Sequence, residues 1–196
     1  MTSSNHQLLV IAREKLALVS IFFFLSLLTY FIGKTIGMAN AIKTSAGIIY
    51  LPAGARLLAC LLGRGWGALG VAIATFLIMA PETFPDQDAS FHLAVATLNS
   101  LTVLSSVVLM LKALGIKDDL SNIKFVQLPL IDLVATFVQT AFYSWFLYSS
   151  KVHIGLEDLE AKFLSRWTGN FLGGMIFMLV FFVFANIYKK SVEKED

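Results

Sequence analysis

Arg56 sits in the middle of an otherwise apolar run, Ala46 to Leu62. A guanidinium held at membrane depth costs roughly several kcal/mol unless it is paired, hydrated or able to snorkel to water. Segment five of the chain carries Asp132, an acidic residue placed within an apolar run. If both runs are helices, Arg56 lies about seven residues, or roughly 10 Å, from one end of its segment. Asp132 enters from the same side, at a comparable level. The guanidinium fork fits a carboxylate bidentately, so an Arg56–Asp132 pair is the expected internal staple. Two other readings stay open: Arg56 contacts a substrate, lipid headgroup or partner, or it snorkels.

A second set of polar residues, Tyr50, His92, Asn99, Arg166, Trp167 and Asn170, falls towards the opposite ends of the apolar runs. Together they would line a polar pocket capped by aromatic rings. Singly, Tyr50 and Trp167 suit an interfacial belt, Asn99 an interhelical hydrogen bond, and His92 a solvated helix edge. Glycine pairs at four-residue spacing, Gly33 and Gly37, Gly63 and Gly67, Gly169 and Gly173, place small residues on one helix face and let backbones approach. Pro52 lacks an N–H; inside a helix it would free the Ile48 carbonyl and bend the segment beside Gly54.

Catalytic chemistry has no such footing. His6, His92 and His153 show no metal-ligand spacing to one another or to Cys60, the single cysteine. No nucleophile elbow, phosphate loop or dinucleotide fingerprint is present. The expectation is a protein that is no enzyme and carries no cofactor or metal.

The elements that must position these residues are membrane helices. Of 196 residues 57% are hydrophobic, 17 are Phe and the mean hydropathy is +0.77, which excludes an ordinary soluble domain. At roughly 20 residues per crossing, about six spans fill the chain. They read as Leu16 to Ile36, Ala46 to Leu62, Trp66 to Ala80, Phe91 to Leu111, Leu128 to Tyr148 and Trp167 to Tyr188. The second and third are so close that an antiparallel hairpin is expected. The predicted fold class is all-α: one polytopic membrane domain over residues 1–196, a bundle of six transmembrane helices. A net charge of +2 without a basic face excludes nucleic acid as a partner.

Orientation follows from Lys and Arg. With the N-terminus inside, Arg13, Lys15, Arg64, Lys112, Lys117, Lys124, Lys189, Lys190 and Lys194 are cytoplasmic; Lys34, Lys43, Lys151, Lys162 and Arg166 lie opposite. Both termini are therefore expected in the cytoplasm, with loop Pro81 to Ser90 outside. Leu156, Leu159 and Phe163 fall at helical spacing, either in a short amphipathic surface helix or in a solvated loop.

The stretch Tyr50, Leu51, Pro52, Ala53, Gly54, Ala55 and Arg56, followed by Leu62, Gly63, Arg64, Gly65, Trp66 and Gly67, resembles the MASE-type membrane-associated sensor domain of bacteria. Arg166 to Gly174 resembles that family's Trp-x-Gly-Asp-x-x-Gly entry to a later helix, with Asn170 at the acidic position and one proline where the earlier motif has two. The resemblance singles out Pro52, Gly54, Trp167, Gly169, Asn170 and Gly173. It implies a multi-pass sensor of the bacterial inner (plasma) membrane, stand-alone without the family's output domain. Such a sensor acts in signal transduction through a membrane partner or a homo-oligomer, with a small-molecule ligand. The alternatives are a substrate-capture subunit of a transporter, or an accessory subunit of a larger membrane complex.

Overall fold

The computed structural model describes residues 2–35, 49–152 and 159–192, and every regular element among them is helical. The elements are α1 (Thr2–Thr35), α2 (Pro52–Leu62), α3 (Arg64–Ala74), a π-helical turn (Thr75–Met79), α4 (Ala80–Thr83), α5 (Ala89–Ala113), α6 (Gln127–Ser149) and α7 (Leu159–Val192). Five stretches are long and apolar enough to cross a membrane: Leu9–Thr35, Arg64–Thr83, Ala89–Ala113, Gln127–Ser149 and Glu160–Phe184. The chain is thus an all-helical multi-pass membrane protein. Ile36, Gly37, Lys43, Ala46 to Ile48, His153, Ile154, Leu156 and Lys194 lie outside the described residues; Leu159 and Phe163 belong to the first turns of α7, where Phe163 meets the Phe137 ring at 5.6 Å.

The second segment departs from the expected span. Its helix has 11 residues, about 16 Å, against a hydrocarbon core of about 30 Å. Pro52 does not bend this helix; it begins it. At the first helical position its missing N–H is one of the donors that would be unpaired in any case. The next two donors are satisfied within the turn, Ala53 N–H to the Tyr50 carbonyl at 3.0 Å and Gly54 N–H to Leu51 at 3.0 Å.

The third segment extends past the predicted Ala80, and its loop shrinks accordingly. Pro81 cannot donate to the preceding turn, and its ring would crowd the carbonyls there. The helix widens immediately before it into the π-turn, whose following Ala80 N–H bonds the Thr75 carbonyl, and then runs on through Thr83. At the next start Asp88 caps α5, accepting from Phe91 N–H at 2.9 Å and from the Ser90 hydroxyl at 2.8 Å. These bonds, the Phe91 N–H first, hold the exposed Asp88 carboxyl below its ordinary value. The cap therefore contributes fully above the unfolded-state pKa and is lost as pH falls through the lowered one.

Contacts at the two ends fix the order of crossings. At one end Arg64 donates to the Asp118 carbonyl at 3.0 Å, Lys15 lies 5.1 Å over the Trp66 ring, and Phe125 stacks on Phe182 at 5.1 Å. At the other, Tyr30 and Lys34 both bond Glu82, at 2.9 and 2.7 Å. The start of α1, the Gly63 turn, the α5–α6 loop and the end of α7 therefore share the Arg64 end of the bundle.

Helix α2 occupies the centre. Every residue from Pro52 to Leu61 is buried, and it touches α1, α3, α5, α6 and α7. Leu57, Leu58 and Leu61 join Val103, Val107, Ile131 and Met178 in the main apolar core. Glycines permit this density. A Cβ on Gly67 would lie 2.2 Å from the Ala59 carbonyl oxygen, and one on Gly70 would lie 2.3 Å from that of Val19. The α2–α3 hairpin and the α1–α3 contact thus have bare backbone at their seams. Gly33 has open space around the same position.

These seams predict a sharp contrast. Gly67→Ala must displace backbone, and should lower unfolding stability in detergent by roughly 1–3 kcal/mol. Gly65→Ala, two residues earlier with nothing within 4 Å, should be neutral or mildly stabilising. Equal melting temperatures for the two variants would contradict the packing described.

Candidate functional site

Four helices converge on one polar layer. Arg56 on α2 donates through Nη1 to Asn99 Oδ1 on α5 at 3.2 Å. Gln139 Nε2 on α6 donates to the same oxygen at 2.5 Å, and Asn170 Nδ2 on α7 donates to Gln139 Oε1 at 2.9 Å and to Thr140 Oγ1 at 3.3 Å. The amide orientations follow from the chain itself: Asn99 faces two donors, so it must present its carbonyl oxygen. Asn99 is ten residues from the start of α5, and Gln139 ten from the end of α6, each about 15 Å deep. The network therefore lies near mid-membrane, where water is not at hand to replace a lost partner.

Asp132 is not part of it. Its carboxylate is 1% exposed, and neither oxygen has a hydrogen-bond partner among the described residues. The ion pairs present among them are Lys34–Glu82 and Arg64–Asp118, so the expected Arg56–Asp132 staple does not form. Side-chain direction explains this. Every Cα–Cβ bond in a helix tilts towards its N-terminus. Helix α2 runs towards the Arg64 end, so Arg56 leans away from it; α6 runs the other way, so Asp132 leans back. Residues at similar depth thus send their charged ends in opposite directions. Asp132 instead lies against Gly174, where a Cβ would come within 2.2 Å of Oδ2.

The lead-in to α2 is held by α7. Ile49 and Tyr50 are non-helical, and Tyr50 N–H donates to the Gly169 carbonyl at 2.8 Å. A Cβ on Gly173 would lie 2.1 Å from the Tyr50 carbonyl oxygen, and one on Gly54 would lie 2.3 Å from Phe177 Cβ. The Gly169–Gly173 face is therefore a seat for irregular backbone, and Gly54 continues it one turn further. Irregular backbone at this depth is tolerated because protein covers it.

The remaining predicted residues separate. Arg166 lies over the Tyr143 ring at 4.7 Å, with Nη1 buried and without a partner among the described residues. Trp167 turns from the layer: its indole N–H reaches the Leu133 carbonyl at 3.4 Å, and its ring meets Phe137 at 5.3 Å. His92 Nε2 is 2.9 Å from the Phe84 carbonyl, which can only accept, so His92 donates and ties down the α4–α5 loop. Gln139, Thr140 and Tyr143 belong to the site but were not singled out by the sequence reading. Gln139 was legible as an uncharged amide in an apolar run, seven residues after Asp132.

The layer holds hydrogen-bonding capacity that the described residues do not use. Arg56 is 6% exposed, and its Nε and Nη2 have no partner among the described residues. A buried charged donor left so costs roughly 1–3 kcal/mol or more. No group of three His, Cys, Asp or Glu side chains able to hold a metal ion occurs among the described residues. No protein-family model, no curated protein and no solved structure matches the chain.

The acceptor role of Asn99 yields a test. Asn99→Asp keeps an oxygen for both donors, and should fold with little loss. Asn99→Leu strands Arg56 and Gln139, and should cost at least about 2 kcal/mol. Asp132→Asn should be neutral or stabilising, because that buried carboxylate makes no hydrogen bond or ion pair among the described residues and reaches Arg56 only through space. Detergent unfolding curves decide it; a severe loss in Asp132→Asn with none in Asn99→Leu would restore the staple.

Proposed function

We propose that the chain is a sensory or regulatory module of a bacterial inner membrane. In this reading it takes up a small molecule or lipid at the polar layer and passes the bound state to a membrane partner. The observation that carries the reading is the unfinished coordination of Arg56. A purely structural arginine would be expected to have its buried donors satisfied internally, whereas this one has no partner for Nε and Nη2 among the described residues, beside a helix that begins in irregular backbone.

The architecture supplies a means of signalling. Helix α2 touches α1, α3, α5, α6 and α7, so a ligand that repositions Arg56 acts on the element that most of the bundle packs against. The MASE-type resemblance of residues 50–67 and 166–174 points the same way. Orientation is part of the proposal: the excess of Lys and Arg at the Arg64 end supports a reading in which that end and both termini are cytoplasmic.

A substrate-capture subunit of a transporter is the second reading. One observation favours it: a short helix starting in non-helical backbone inside the bundle is how many transporters build a midplane binding site.

Purification in mild detergent, followed by native mass analysis and thermal unfolding, separates the readings. The proposal expects a bound small molecule or lipid, together with a stoichiometric membrane partner. A compound held at 100 times its Kd should add about 2.7 kcal/mol of stability. A partner with no bound molecule would indicate an accessory subunit. Neither partner nor molecule would sink the proposal.

A further inference from the structure

Among the described residues, buried guanidinium donors around the polar layer are left unpaired. Arg56 engages Asn99 through Nη1 and leaves Nε and Nη2 without partners among the described residues. Arg166 on α7 leaves a buried Nη1 in the same condition while its guanidinium lies over Tyr143. Arg166 stands one turn before Asn170 on α7 and Tyr143 one turn after Gln139 on α6, so the stacked pair adjoins the layer that holds Arg56; Tyr50 and Tyr143 also lie within electrostatic reach of both arginines. The nearby carboxylate, Asp132, lies within electrostatic reach of Arg56 but is turned against Gly174 and makes no hydrogen bond or ion pair with either arginine.

Guanidinium donors left without partners in a low-dielectric interior are costly, and an anion placed between them would satisfy both groups. Their forks match the oxygens of a carboxylate or phosphate, with which they form short charge-assisted hydrogen bonds. Resting on the ligand-binding reading above, we infer that the ligand carries an oxyanion, a carboxylate or a phosphate, and that Arg56 and Arg166 take this group. Tyr50 and Tyr143 present ring faces and hydroxyls to the same molecule. Tyr143 lies six residues from the end of α6, about 9 Å, against about 15 Å for Gln139. Arg166 and Tyr143 therefore stand between the polar layer and the Lys34 end of the bundle, and the anion arrives from that end.

Delipidated protein in neutral maltoside detergent provides the test. Its thermal unfolding is followed in sodium phosphate and in sodium succinate, each against sodium chloride at equal ionic strength. A parallel series uses phosphatidylcholine nanodiscs with and without phosphatidylglycerol. A saturable rise in Tm is expected in one of the series: with phosphate or succinate the source is a free solute, with phosphatidylglycerol alone a lipid headgroup. Arg166→Gln should weaken the apparent affinity by about tenfold or more, whereas Lys34→Gln, an exposed cation at the same end, should leave it unchanged. If Arg166→Gln does not fold, Arg166→Lys serves, losing the fork but keeping the charge, and should bind measurably more weakly. No rise above chloride in any series, or a rise equal in the Arg166 variant, overturns the assignment. If a neutral molecule nonetheless co-purifies, the oxyanion assignment falls and the ligand-binding reading stands. If nothing co-purifies, both fall.

Discussion

A guanidinium buried at mid-membrane needs an acceptor where lipid offers none, and the relative heights of four helices follow from the one that this bundle supplies. Arg56 is supplied with an acceptor by Asn99, which Gln139 and Asn170 orient in turn. One side chain from each of α2, α5, α6 and α7 is consumed in the process. The layer sets the relative height of four helices, because an amide displaced by one turn would miss its partner by about 5 Å. Polar contacts of this kind are modest in net energy, yet costly to leave unmade in an apolar interior.

The second constraint is steric. For the Arg56 side chain to reach the layer, α2 has to lie at the centre of the bundle, and it can do so only where neighbouring backbones come close. Gly67 against Ala59, Gly173 against Tyr50 and Gly54 against Phe177 remove the side chains that would keep them apart. The same closeness satisfies the irregular lead-in, since Gly169 offers its carbonyl to Tyr50 N–H. A short helix, buried from Pro52 to Leu61 and with a polar residue in its second turn, thus becomes the hub of the bundle. The peripheral faces, by contrast, expose Phe24, Leu28, Leu109, Trp145 and Phe184 to the bilayer.

Much of this was legible in the residues. Five of the six helices follow from the length of their apolar runs, and Arg56, Asn99 and Asn170 announce themselves as polar groups where lipid would not tolerate them. The glycine spacings at 63 and 67 and at 169 and 173 indicated close approach, and close approach is found. Less legible were features that depend on direction. Arg56 and Asp132 match in depth, but their helices run in opposite senses, so their side chains diverge, and depth alone cannot reveal that. Pro52 is equally compatible with a kink or a start. The backbone of Tyr50 and Leu51, turned aside to meet α7, decides for a start. The third apolar run reads as ending at Ala80, whereas the helix continues to Thr83, because a π-turn that accommodates Pro81 leaves no trace in composition. Gln139 was passed over because an uncharged amide stands out less than a charge.

The central claim is that Arg56 depends on Asn99 and not on Asp132. Two double-mutant cycles in detergent unfolding test it directly, one pairing Arg56→Met with Asn99→Leu and the other pairing Arg56→Met with Asp132→Leu. The structure predicts a coupling of about 1–3 kcal/mol in the first cycle, and near-additivity, within about 0.5 kcal/mol, in the second. Strong coupling to Asp132 together with additivity at Asn99 would contradict the account.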